Sequence, residues 1–153
     1  MATGSPRRTA GLEAALVDFE EHELSALNDA DTRTFAVRVA GPAALLIAKV
    51  IKIEERRSQA RLRPKDGLDI LRLLQTTDTD PLARRLADLA AHPLSQETTH
   101  QAVHALRDHG TDPDGPLATL AAQAVGVLED PSTVIGSLIA LTEDLLTAYD
   151  SLA

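Results

Sequence analysis

The residues with the clearest capacity for chemistry lie between Ala40 and Gln75, in the run AGPAALLIAKVIKIEERRSQARLRPKDGLDILRLLQ. Lys49, Lys52 and Arg56 stand at i, i+3 and i+7, so on a helix their side chains share one face. A basic loop with Arg57, Arg61 and Arg63 follows. Then Lys65-Asp66-Gly67-Leu68-Asp69 opens a second helix, with Lys65 and Asp69 one turn apart and Arg72 one turn further on. An ammonium on such a stripe can hold a phosphate as a point charge. An aspartate beside it can fix that lysine in place or lend a carboxylate to a metal site. The plainer reading is a solvated helix edge, with Lys65–Asp69 an ordinary i, i+4 ion pair worth about 0.3–0.5 kcal/mol.

Charge sets this stretch apart from the rest of the chain. The net charge is −8, yet residues 1–32 carry −5, residues 33–85 carry +6 and residues 86–153 carry −9. A basic middle within an acidic chain fits a local anion site; a nucleic-acid coat would make the whole domain basic. Arginine is the usual base, and the only three lysines are Lys49, Lys52 and Lys65. Their confinement to one stretch suggests that the compact ammonium matters there as well as its charge.

The elements that must position these groups are helical. Of 153 residues, 44% are hydrophobic but only 2% aromatic, so the core is built from Leu, Ile, Val and Ala, which favours helix on helix. The absence of cysteine excludes disulfides, thiolate metal sites and a cysteine nucleophile. Apolar runs are short and broken by charge, so no membrane span is expected. No signal peptide is evident, and the expected location is the cytoplasm.

Three parts follow in order. Residues 1–10 are small, polar and punctuated by Pro and Gly, and are expected to be disordered. Residues 11–40 form a short N-terminal segment, with either a short helix near 11–19 or a strand at 14–17. After it, a β-hairpin is expected from 23–27 and 34–39 around the turn-like 28–31. Phe35, Val37 and Val39 alternate with Thr34 and Arg38 across its second strand. Residues 41–153 read as a bundle of helices at 42–59, 65–76, 81–91, 96–109, 116–129 and 131–151. Gly41-Pro42, Asp80-Pro81, Gly115-Pro116 and Asp130-Pro131 mark starts, with both aspartates suited to capping, and Ser95 caps the helix after His92-Pro93. The fold class is therefore mainly α: a bundle of five to six helices with a short N-terminal β-hairpin.

AGPAALLIAKVIKIEERR, a short basic loop and KDGLDILRLL together resemble the second half of nucleotidyltransferases of the abortive-infection AbiEii toxin type. The likeness covers about residues 20–90; the helical tail shares only general character. It implies that Lys49, Lys52, Arg56, Lys65, Asp66 and Asp69 lie near a bound nucleotide. Gly67 departs from the pattern, since such sequences usually place a better helix former there. It also implies a toxin–antitoxin setting, with a separate catalytic nucleotidyltransferase chain or a cognate antitoxin as partner. Members of this fold place a Gly-Ser turn and an Asp-x-Asp/Glu strand ahead of this region, to hold Mg²⁺ and a nucleoside triphosphate. Here the nominal match is Gly4-Ser5 with Asp18-Phe19-Glu20. It sits in the very polar run Asp18–Glu23, and too few residues precede Pro42 to build a catalytic sheet. The expectation is thus a truncated or accessory half that binds nucleotide but does not catalyse alone. It needs no cofactor by itself, and Mg²⁺ with a nucleoside triphosphate only when a catalytic partner completes it. No catalytic or metal-ligating residue is assigned. Two other readings stay open: a helical protein–protein interaction module, and a minimal metal-dependent enzyme using Asp18 and Glu20.

Glu97, His100 and His104 share another helix face and have spacing that would suit a metal. Val103 and Leu106 mark the buried side of that helix, so the histidines are expected to be solvated. Gly136-Ser137 reads as a small-residue contact on the bundle surface.

Overall fold

The computed structural model describes residues 10–28, 30–58 and 61–152. A single 3-10 turn, Glu13–Leu16, leads into an antiparallel hairpin of β1 (Phe19–Ser25) and β2 (Thr34–Ala40). Six helices follow among the described residues: α1 (Pro42–Ser58), α2 (Pro64–Thr76), α3 (Thr79–Ala91), α4 (Gln96–His109), α5 (Pro116–Val125) and α6 (Pro131–Asp150). The expected mainly α bundle with a short hairpin is therefore the fold. None of these helices is long and apolar enough to cross a membrane.

Alanine, leucine and isoleucine build the interior. Ala43, Ala44, Leu46, Ile47, Val50 and Ile53 of α1 are all fully or almost fully buried. So much buried surface on one helix means that α1 packs on more than one neighbour, and it lies against both α2 and α4. The second buried group, Leu86 and Leu89 of α3, Leu117 of α5 and Leu138 and Leu145 of α6, closes the far side of the bundle. Of the three aromatic residues, Phe19 and Phe35 are in the hairpin and Tyr149 is on α6, half-buried against the core.

Several boundaries differ from the sequence reading, each for a local reason. The first strand begins at Phe19 instead of residue 23 and takes in the acidic run, because the hairpin stands in solvent and polarity is no bar to an exposed strand. Near 11–19 the chain makes only the 3-10 turn, neither the longer helix nor a strand. α3 begins at Thr79, so Asp78, not Asp80, occupies its N-cap position, and Pro81 falls inside a first turn whose N–H groups have no helical partner. α5 ends at Val125, four residues early, where Gly126 takes a φ of 62° that halts the helix. Asp130 caps α6 as expected, accepting from Thr133 N–H. Ser95 holds the N-cap position of α4, but its hydroxyl donates to the Leu89 carbonyl instead of capping. A Cβ at Gly136 would meet nothing within 4 Å, so close approach of a neighbouring element does not require glycine there. Residues 1–9, with the nominal Gly4-Ser5 match, residue 29 of the expected turn, residues 59–60 and residue 153 fall outside the described residues.

The hairpin is tied to the bundle at its base by Asp18. Its carboxylate is buried and accepts from the backbone N–H of Ala44 at 2.9 Å, in the first turn of α1. It also accepts from Arg85 Nε of α3 at 2.8 Å. Because Gly41, at the N-cap position, has no side chain to cap with, an acid from a distant element satisfies an N–H that the first turn leaves open.

Gly67 explains itself by packing. A Cβ there would lie 2.6 Å from the Ala121 amide nitrogen and 2.7 Å from Leu120 Cβ. α2 and α5 thus cross with their backbones nearly touching. Gly67→Ala gains about 1 kcal/mol of helix propensity but forces the two helices apart, an overpacking cost of about 1–3 kcal/mol or more when the obstacle is backbone. The second effect wins. Chemical denaturation should show Gly67→Ala to be less stable than the parent by roughly 1–2 kcal/mol. A gain in stability would contradict this helix crossing.

Candidate functional site

α1 presents Lys49, Lys52 and Arg56 toward α2, as their spacing requires, and α2 answers with two aspartates. Lys49 Nζ lies 2.5 Å from Asp69 Oδ2, and Lys52 Nζ lies 2.8 Å from Asp66 Oδ1. Arg56 Nη1 donates to the second oxygen, Asp66 Oδ2. Asp66 therefore accepts a cation on each oxygen while its side chain is only 4% exposed. Asp69 is less enclosed, at 20%, and Lys49 at 27%.

Burial pushes the Asp66 carboxyl up, but the Lys52 hydrogen bond and the charges of Lys52, Arg56 and Lys49 outweigh it. The result is a carboxyl held below its ordinary value of 3.8.

Five of the six anticipated residues thus form one cluster. The expected Lys65–Asp69 pair does not form, because Asp69 is taken by Lys49 from the neighbouring helix. Lys65 is exposed and makes no ion pair among the described residues. It still belongs to the same side of α2, since Lys65, Asp69, Arg72 and Thr76 recur at i, i+4, i+7 and i+11. Beside the cluster runs a shallow groove of about 270 Å³ between α1 and α2, bordered by Leu45, Lys49, Asp69, Arg72, Leu73 and Thr76. Leu45 and Thr76 gave no sign of this in the sequence; only the helix crossing brings them together. Lys49, Lys52, Arg56, Lys65 and Arg72 are five cations set against the two aspartates, so the face keeps a net positive charge.

Metal chemistry does not fit these residues. Among the described residues no group of three or more His, Asp or Glu could hold an ion. Asp18 and Glu20 do border one groove of about 350 Å³, together with Arg85 and Thr77. Yet Asp18 is engaged by Arg85 and by the start of α1, so a metal there would have to displace both. The His100 and His104 side chains are exposed, and His104 pairs with Asp108 at 2.9 Å, in keeping with solvated histidines.

A further cluster was not legible in the sequence. Arg57 Nη1 lies 2.7 Å from His109 Nε2 and 3.0 Å by its other nitrogen from Glu54, at one end of an α1–α4 cleft of about 650 Å³. A guanidinium can only donate, so His109 accepts at Nε2. The partners are 52 positions apart, beyond any local pattern.

Compared with known proteins, the chain matches no family model, and no curated protein or solved structure shows significant similarity to it.

The depressed Asp66 carboxyl gives a signed pH prediction. A group with a lowered folded-state pKa contributes its full stabilisation above the unfolded value, and loses it as pH falls through the folded value. Asp66→Asn should therefore be destabilised by roughly 2 kcal/mol at pH 7, since it leaves Lys52 and Arg56 facing each other without a counter-ion. The gap from the parent should close as the pH falls through the folded-state value, which lies below 3.8. Thermal unfolding of both proteins across pH 2–7 would check it; a gap that stays constant would remove Asp66 from the acid response.

Proposed function

We propose that the α1–α2 face is the phosphate-contacting half of a nucleotidyltransferase-like site in a cytoplasmic protein, completed by a separate chain that carries the metal-binding carboxylates. The observation that carries this reading is the convergence of Lys49, Lys52 and Arg56 on Asp66 and Asp69, with Lys65 and Arg72 left as surplus cations beside an open groove. The two aspartates hold the long basic side chains in fixed positions, which lowers the ordering cost when an anion arrives. Lys65 and Arg72 supply the uncompensated charge. The resemblance to AbiEii-type nucleotidyltransferases points to the same face and names a nucleoside triphosphate as the anion. In this reading the chain binds and orients phosphate, and no bond is made or broken by its own residues.

A second reading is favoured by a specific observation. Asp66 has both oxygens occupied, so the cluster also works as a clamp that joins α1 to α2 in a helical protein–protein interaction module. Lys65 separates the two. It is exposed and makes no ion pair among the described residues, so removing it leaves the clamp intact, whereas Lys49→Ala would also strip Asp69 of its partner.

The test is thermal shift and calorimetry with nucleoside triphosphates. The parent should bind with a Kd on the order of 1 mM, about −4 kcal/mol, as expected for a half-site. Lys65→Ala should weaken binding about threefold to tenfold without changing the melting temperature, in line with losing one exposed charge contact. No shift with any nucleotide would leave the clamp reading alone.

A further inference from the structure

The hairpin is the one element that the bundle does not cover. Directly paired residues of an antiparallel ladder point to the same side. One side carries Leu24 opposite Phe35, His22 opposite Val37 and Glu20 opposite Val39. The other carries Glu21 opposite Arg38 and Glu23 opposite Ala36. Leu24, Phe35 and Val39 are 53%, 58% and 49% exposed, although all lie in regular strand. An isolated two-stranded sheet is marginal in water, so pairing with a further strand would stabilise it.

The backbone identifies which groups are unpaired. Gly41 N–H donates to the Asp18 carbonyl at 2.9 Å and Ala26 N–H to the Arg33 carbonyl at 3.3 Å, at the two ends of the ladder. Hydrogen-bonded pairs alternate, so Glu20–Val39, His22–Val37 and Leu24–Phe35 are the bonded pairs between them. The N–H and C=O groups of Thr34, Ala36, Arg38 and Ala40 therefore point away from β1. The outer edge of β1 is guarded by Glu20, Glu21 and Glu23, the charged type of residue that deters edge pairing. β2 carries only Arg38, which its own Glu21 already meets at 3.1 Å.

We infer that β2 pairs antiparallel with β2 of a second copy of this chain, about a two-fold axis at Val37, to give a four-stranded sheet with β1 strands outermost. The sequence Thr34-Phe35-Ala36-Val37-Arg38-Val39-Ala40 is self-complementary in that register. Phe35 meets the second copy's Val39, Val37 meets Val37, and Ala36 meets Arg38. The bonded pairs become Thr34–Ala40 and Ala36–Arg38, the very residues whose backbone groups are unpaired, giving about six to eight new main-chain hydrogen bonds. Charge also fits. On the face with Arg38, the row across the sheet reads Glu21, Arg38, then Ala36 and Glu23 of the second copy. Glu23 makes no ion pair among the described residues, and alanine leaves room for Arg38 to reach it. Pairing through β1 instead would bring Glu rows together, which is unfavourable. One strand edge buries less than about 1,000 Å², so the dimer is of the weak class, with a Kd on the order of 100 µM.

Sedimentation equilibrium of the full chain from ~10 µM to ~1 mM should show a monomer–dimer equilibrium. Ala36→Pro removes an outward N–H and leaves the ladder with β1 intact, so it should be monomeric with an unchanged far-ultraviolet spectrum. If that variant loses its fold, Glu23→Lys supplies the answer, with dimerisation weakened by about tenfold. The chain has no cysteine, so Val37→Cys introduces a single thiol. At a non-bonded pair the Cα atoms are about 4.5 Å apart, within disulfide range, and oxidation should cross-link it; Ser25→Cys on the outer strand should not. A monomer at ~1 mM, a dimer indifferent to both Ala36→Pro and Glu23→Lys, or equal cross-linking at both thiols would overturn the inference. Growth beyond the dimer would also do so, because it would mean head-to-tail addition of β2 to β1.

Discussion

Asp66 and Gly67 are neighbours in sequence and face different helices, and the bundle depends on that pair. Asp66 turns toward α1 and takes Lys52 and Arg56, one on each oxygen. Gly67 turns toward α5 and lets it come within backbone contact. α2 is thus fixed on one side by charge and on the other by shape. Neither half tolerates a simple replacement: an uncharged side chain at 66 strands two cations, and a larger one at 67 collides with a helix. The two constraints lock α2 in rotation and in height, and the groove lined by Lys49, Asp69 and Arg72 inherits its width from them.

The same arrangement decides what the face can do. A fully neutral clamp would need as many acids as bases, and this face has more bases. Lys65 and Arg72 stand outside the closed pairs, on the solvent side of α2. Under the proposed reading, an incoming anion would meet charges that are already ordered, not a flexible basic tail. Enclosure is another matter. The groove is shallow and the described residues gather no metal cluster, so water has free access.

Much of this was legible from spacing. The i, i+3, i+7 pattern placed Lys49, Lys52 and Arg56 together, and the proline-marked starts located α1, α5 and α6, while the Asp80-Pro81 start missed that of α3 by two residues. What spacing could not supply was the partner across a helix crossing. Lys65 and Asp69 looked like a pair because they are one turn apart, but Lys49 from α1 reaches Asp69 first. Asp18 looked like part of an acidic run, yet a residue 67 positions later neutralises it and the start of α1 uses it as a cap. Gly67 looked like a flaw in a helix for the same reason: only α5, some fifty residues on, shows what the missing side chain makes room for. Local rules see faces and turns; they do not see which faces meet.

The placing of the aromatic residues has a practical side. There is no tryptophan, Tyr149 lies on α6, and Phe19 and Phe35 both lie in the hairpin. The two parts of the molecule are therefore optically distinct: tyrosine emission and near-ultraviolet dichroism come from the bundle, and the phenylalanine fine structure comes only from the hairpin. One unlabelled sample can report on both at once, and a change in one band without the other tells which part has moved.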